Sequence, residues 1–113
     1  MKKIEAYIRP DKLDEMKSIS DKYGINGMSI TQINGFGIQK GWKEFVRGSE
    51  ADYLFLPKIK IESIVPDEQV EDIVESMLDL LSTGEFGDGK IFLYDVADAY
   101  RIRTKEQGES AIR

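Results

Sequence analysis

The stretch KIKIESIVPDEQVEDIVESMLDLLSTGEFGDGKIFLYDV, residues 58–96, changes its period twice. From Lys58 to Val65 it alternates. Ile59, Ile61 and Val65 fall on one side; Lys58, Lys60, Glu62 and Ile64 fall on the other, as in a strand. Pro66 and Asp67 then open a helix. Val70, Ile73, Val74, Met77, Leu78 and Leu81 recur at its 3.6-residue period. Ser82-Thr83-Gly84 ends it, with Gly84 a candidate helix cap, and Lys90–Val96 alternates again.

The N-terminal third repeats this order. Lys3–Arg9 alternates, with Ile4, Ala6 and Ile8 against Glu5, Tyr7 and Arg9. Pro10 stops that strand, and Asp11 is placed to cap a helix. Leu13, Met16, Ile19 and Tyr23 form the helix's apolar stripe, and Gly24 is a helix stop. Met28–Ile33 reads as a second strand rich in β-branched residues. Ala99–Thr104 alternates as a short final strand, with Arg101 and Arg103 on one face. From Lys105 the residues are polar and expected to be mobile. Two successive β-α-β units predict an α+β, ferredoxin-like split βαβ: a four-stranded antiparallel sheet with two helices on one face. The other face lacks intrachain cover. Because Phe92, Tyr94 and Val96 alternate with Ile91 and Leu93, that face is expected to pack on another copy of the chain.

The totals narrow the function classes. At 113 residues the chain suits one domain, and 41% apolar with 33% charged residues is a folded, soluble composition. It contains neither cysteine nor histidine. Thiolate chemistry, disulfides, zinc sites and histidine-based acid/base catalysis are therefore not expected. The net charge of −5 disfavours nucleic acid as a partner. No run is long enough to span a bilayer, and the charged start does not resemble a signal peptide, so a cytoplasmic location is expected.

Two segments stand out. The first is the gap between the second and third strands, Asn34–Pro57, roughly two dozen residues where about 4–6 are usual. It holds Trp42, Phe45, Tyr53 and Phe55 among Lys40, Lys43 and Arg47. It reads either as a strand extension or hairpin burying those aromatics or as a mobile arm that grips a partner. The second begins at Gly84 and reads G-x-x-x-x-G-K, like a phosphate-binding P-loop, but Ile91 follows where Ser or Thr would hold Mg²⁺. The context is also reversed, because a helix precedes the glycines and a strand follows them. It is not a P-loop. Gly84, Gly87 and Gly89 can still expose N–H groups as an anion nest beside Lys90, Arg101 and Arg103. A solvated basic edge is the alternative.

Over its whole length the chain resembles the PII nitrogen-signalling family. The resemblance is carried by KKIEAYIRPDKLDEMK, GMSITQINGFGIQKG, FLPKIKIESIVPDEQVEDIVE and TGEFGDGKIFLYDVADAYRIRT. It implies one domain over residues 1–113, forming a homotrimer with nucleotide pockets between subunits. Within it would lie a T-loop at about 37–55, a B-loop at about 82–90 and a C-terminal arm at about 101–113. It implies a non-enzymatic regulator that binds ATP or ADP, Mg²⁺ and 2-oxoglutarate. Its T-loop would control an ammonium transporter or a nitrogen-assimilation enzyme. Membrane association would come only through a transporter partner.

By the same resemblance, Gly87, Asp88, Gly89 and Lys90 would hold phosphates, with Arg101 and Arg103 completing the clamp. Ser29, Glu62 and Ile64 would lie around the nucleoside. Gln39 would ligate Mg²⁺. Lys58, with Gln39, Gly37, Lys40 and Gly87, would receive 2-oxoglutarate; without the resemblance, Lys58 reads as an exposed strand lysine. Trp42, Phe45, Arg47 and Tyr53 would face the partner. Ile38 stands at a nucleotide-contact position where the family usually has Arg, which puts ATP affinity or its preference over ADP in question. Ala51 replaces the tyrosine that many bacterial members have uridylylated, so that modification is excluded at position 51. Ser49 matches a serine phosphorylated in some cyanobacterial members. Two other readings stand beside this one: a small ATPase with Asp88 as its base, and a divergent relative with another effector.

Overall fold

The computed structural model describes the backbone of residues 1–38 and 53–113, and the side chains of residues 1–35 and 56–113. Four strands form one antiparallel sheet in the order β2-β3-β1-β4: β1 Lys2–Ile8, β2 Ser29–Ile38, β3 Tyr53–Val65 and β4 Lys90–Asp95. Helices α1, Leu13–Tyr23, and α2, Asp67–Leu81, carry the two β-α-β crossovers. This is the ferredoxin-like arrangement that the order of elements predicts.

The alternation in β1 and β3 sets the inner face. Ile4, Ala6 and Ile8 meet Ile59, Ile61 and Val65, and all six are buried. Met16 and Ile19 of α1 and Val70, Ile73, Met77 and Leu81 of α2 close over them. Leu78 departs from the expected stripe. It is 58% exposed, because the packed face of α2 is used up by the i, i+3, i+4 set that reaches β1.

The side-chain cap predicted for α1 is absent, and α2 also starts without one. Pro10–Lys12 forms a 3-10 turn, so α1 begins at Leu13 and Asp11 caps nothing. Pro66 precedes α2 in an extended conformation, and Asp67 and Glu68 lie in its first turn, where the helix dipole favours negative charge. Gly24 does end α1, at φ +64° and ψ +36°. Gly84 does not end α2: Ser82 leaves the helix extended, and Gly84 belongs to the following loop.

The long gap is partly sheet. β2 and β3 stay paired beyond β1, from Ile33 opposite Lys58 to Ile38 opposite Tyr53. The backbone pairing of the strand-extension reading therefore holds for these residues, while the side chains of Tyr53 and Phe55 lie outside the described residues. The expected arm, with Gln39, Lys40, Trp42, Phe45, Arg47, Ser49 and Ala51, lies outside the described residues.

The C-terminal end corrects two expectations. Ala99–Thr104 is not a strand; only an isolated bridge joins Tyr100 to Gln107. Alternation there meets no neighbouring strand, so the chain turns instead, with Lys105 in the left-handed region at φ +64°. The segment beyond Lys105 is also ordered. It forms a 3-10 helix over Gly108–Ala111, and the Arg101 guanidinium donates to the Ala111 and Arg113 carbonyls at 3.3 and 2.5 Å.

Ile73 has no exposed surface and belongs to the core cluster that the sheet and both helices share. Ile73→Ala should destabilise the fold by about 2–5 kcal/mol, read as a lower urea midpoint at unchanged slope.

Candidate functional site

The loop between α2 and β4 is organised around one carboxylate. Asp88 accepts from the Thr83 N–H at 2.8 Å, the Thr83 hydroxyl at 2.5 Å and the Gly84 N–H at 2.9 Å. Its fourth partner comes from the far end of β1, where Arg9 Nε donates at 2.9 Å. The other arm of the same guanidinium, Nη2, donates to the Phe86 carbonyl at 2.7 Å. From β3, Lys58 Nζ donates to the Gly87 carbonyl. Its aliphatic stem passes over Gly35, where a Cβ would lie 3.0 Å from Lys58 Cγ.

These contacts fix the direction of two peptide planes. In a trans peptide the C=O and the following N–H point opposite ways. With the Phe86 carbonyl on Arg9 and the Gly87 carbonyl on Lys58, the N–H groups of Gly87 and Asp88 are turned away from both cations. Gly84, Gly87 and Gly89 adopt φ +83°, +97° and +95°, conformations that side chains resist. Gly89 is also sterically fixed, since a Cβ there would lie 1.6 Å from the Tyr7 carbonyl oxygen.

The electrostatics follow from the contacts. Hydrogen bonds from the Thr83 hydroxyl and N–H and from Arg9 hold the Asp88 carboxyl far below the usual carboxylate range. A carboxylate so committed is a poor proton acceptor at neutral pH. Burial lowers Lys58, and the neighbouring Arg9 charge lowers it further, with Asp88 partly opposing. Two cations thus share one carboxylate and two carbonyls.

The predicted site residues fall into three groups. Gly87, Asp88, Gly89, Lys90 and Lys58 come together at the loop, with Lys58 directly on Gly87. Ser29, Glu62 and Ile64 lie instead on the open face of the sheet, Ser29 opposite Glu62 and Ile64 opposite Lys3. There Glu62 pairs with Lys3 at 3.2 Å and Lys60 at 3.5 Å. Arg101 and Arg103 follow β4 in the C-terminal turn; Arg101 is held by that segment's own carbonyls, and Arg103 is exposed. Gly37 and Ile38 are placed by backbone only, opposite Leu54 and Tyr53. Among the described residues, no group of three or more acidic side chains is placed to hold a metal ion.

Sequence reasoning missed Arg9 as a loop residue. Arg9 stands 79 positions from Asp88, in a segment quoted only for its strand and helix pattern. It also missed the role of Glu5, a buried carboxylate on the open face. The Lys3 ammonium lies 3.2 Å from its Oε1, and the Tyr7 and Tyr94 hydroxyls donate to Oε2 at 3.2 and 3.1 Å. Burial would raise Glu5, but these three hydrogen bonds outweigh it and the carboxyl lies below its ordinary value. Around this cluster Phe92 and Tyr94 are 44% and 46% exposed.

A ferredoxin-like α+β domain with a glycine loop fixed at its second helix-to-strand connection is the class that fold and site define. Residues 1–106 match the family described as "Nitrogen regulatory protein P-II". The chain is 52% identical over 112 residues to the nitrogen regulatory protein P-II of Haemophilus influenzae, covering 99% of this chain and 100% of the relative. It is 51% identical to that of Pasteurella multocida and 49% identical to nitrogen regulatory protein P-II 1 of Escherichia coli, with the same coverage. The chain belongs to the P-II family of nitrogen regulatory proteins, a family of signalling regulators. No helix among the described residues is long and apolar enough to cross a membrane.

Two outcomes test the loop. Gly89→Ala should cost about 2–4 kcal/mol, while Gly84→Ala, which meets nothing within 4 Å, should cost about 1–2 kcal/mol in a urea titration. The Asp88 carboxyl is lower folded than unfolded, so its stabilisation is complete above the unfolded value and is lost as pH falls towards the folded one. Below about pH 4, Asp88→Asn should therefore lose stability less steeply than the unsubstituted chain.

Proposed function

We propose that this chain is a non-enzymatic regulator that binds the phosphates of ATP or ADP on the loop at 82–90. The observation that carries the reading is the pair of loop carbonyls drawn onto Arg9 and Lys58, which turns the Gly87 and Asp88 N–H groups outward as an anion nest. Gly89 lets the backbone approach closely, and Lys90 begins β4 exposed, at the loop's end.

The pocket is completed between copies. The loop lies at the C-terminal end of β1. Ser29, Glu62 and Ile64 sit beside the N-terminal half of that strand, and Arg101 and Arg103 follow β4. One chain offers phosphate donors, nucleoside contacts and an arginine pair in different places, as a site shared between neighbours requires. The half-exposed Phe92 and Tyr94 around Glu5 supply an apolar face for the homotrimer. Arg101 reaches a phosphate only after exchanging its contacts with the Ala111 and Arg113 carbonyls.

The effector reading follows from Lys58. Its ammonium rests on a neutral carbonyl beside a second cation, and a carboxylate is a stronger acceptor. We assign the acid site to Lys58 with Gly37, Gln39, Lys40 and Gly87, and Mg²⁺ to Gln39, whose amide oxygen is a suitable hard donor. 2-Oxoglutarate would then act at the roots of the segment at 37–55 and set its affinity for a target. Trp42, Phe45, Arg47 and Tyr53 would meet an ammonium transporter or a nitrogen-assimilation enzyme in the cytoplasm. Nucleic acid is not a partner, and a membrane is reached only through the transporter. Ile38, lacking an arginine's charge, is expected to weaken discrimination between ATP and ADP.

Titration calorimetry should show 2-oxoglutarate binding in the presence of Mg²⁺-ATP and no measurable binding without nucleotide. Tight binding of the acid alone, or none under either condition, contradicts the coupling. Small-angle scattering should return three times the chain mass; the mass of one chain contradicts assembly.

A further inference from the structure

We infer that Arg9 is a positioning residue for the phosphate loop, a role that no comparison assigns and that rests on the nucleotide reading above. Its backbone is anchored before it reaches the loop. It precedes Pro10 and is extended at φ −65° and ψ 139°, the conformation a following proline enforces, and its carbonyl accepts from the Lys12 N–H at 3.0 Å. From this fixed base the guanidinium spans two loop groups at once, the Asp88 carboxylate and the Phe86 carbonyl. The planar fork suits that task, and a lysine ammonium does not reproduce it.

Two consequences follow. The contact with Phe86 sets the peptide plane whose N–H belongs to Gly87, so Arg9 aims a donor at the anion without touching it. The contact with Asp88 neutralises a carboxylate of the same loop, whose charge would otherwise repel phosphate. Asp88 is what ties Thr83 and Gly84 into the same turn. Releasing it from Arg9 loosens the loop at both ends. A Cβ at Gly87 would lie 3.4 Å from Arg9 Nη2, so the guanidinium also packs against the left-handed turn and limits its other conformations.

The test uses Arg9→Gln and Arg9→Lys in the full chain, with two readouts. Calorimetry with ATP, ADP and adenosine measures phosphate discrimination. Amide hydrogen exchange without nucleotide measures the loop itself at the Thr83 and Gly84 N–H groups. Arg9→Gln should weaken ATP and ADP by about tenfold or more, leave adenosine unchanged and accelerate exchange at both amides, as loss of a charge-assisted pair predicts. Arg9→Lys should fall between, because it keeps the charge and loses the fork. Unchanged exchange in Arg9→Gln, unchanged ATP affinity, or an equal loss for adenosine overturns the inference. If the unsubstituted chain binds ATP no better than adenosine, the nucleotide reading fails by itself, and the exchange arm alone decides the role of Arg9. Should Arg9→Gln not fold, Arg9→Lys carries both readouts.

Discussion

The Asp88 carboxylate is the group on which the α2–β4 connection depends. It gathers two backbone N–H groups, a hydroxyl and a guanidinium from a strand at the other end of the sequence. Without it, three glycines in left-handed conformations would leave a chain with many alternatives and nothing to select one. With it, one arrangement of the loop is selected during folding, as the proposed phosphate site would need. An acidic residue inside an anion site is tolerable on this account because its charge is already answered by Arg9.

The sheet explains why the loop stands where it does. β1 is central, paired with both β3 and β4, so its C-terminal end brings Arg9 beside the start of β4 and the Lys58 end of β3. Gly89 lies against the Tyr7 backbone at that point, and no other residue fits. The outer face of the same strand carries Lys3, Glu5 and Tyr7 into a polar cluster among exposed aromatics. One strand therefore organises the loop at its end and the uncovered face along its length. That face and the loop are the two surfaces that the trimeric reading joins.

Much of this was legible in the sequence, and the failures have physical causes. The helical stripes and the alternation of β1 and β3 were clear because each element has one fully buried face. Leu78 misled because a period gives candidates for the packed face and not its width. The extensions of β2 and β3 were only one of two readings, because Gly35, Gly37 and Pro57 break a strand pattern even where strands pair. Ala99–Thr104 was misread for the opposite reason: alternation without a partner strand makes no strand. The glycine loop was found by its spacing, but its supports were not. Arg9 acts across the fold rather than along the chain, and Lys58 was singled out only through the family resemblance.

In the nucleotide reading proposed above, the loop's outward N–H groups receive phosphate. Backbone amide shifts during titration with ADP, set against titration with adenosine, address it directly. Large downfield movement of the Gly87, Asp88, Gly89 and Lys90 amides is expected with ADP and little with adenosine. Saturable ADP binding that leaves those four amides unmoved would contradict it.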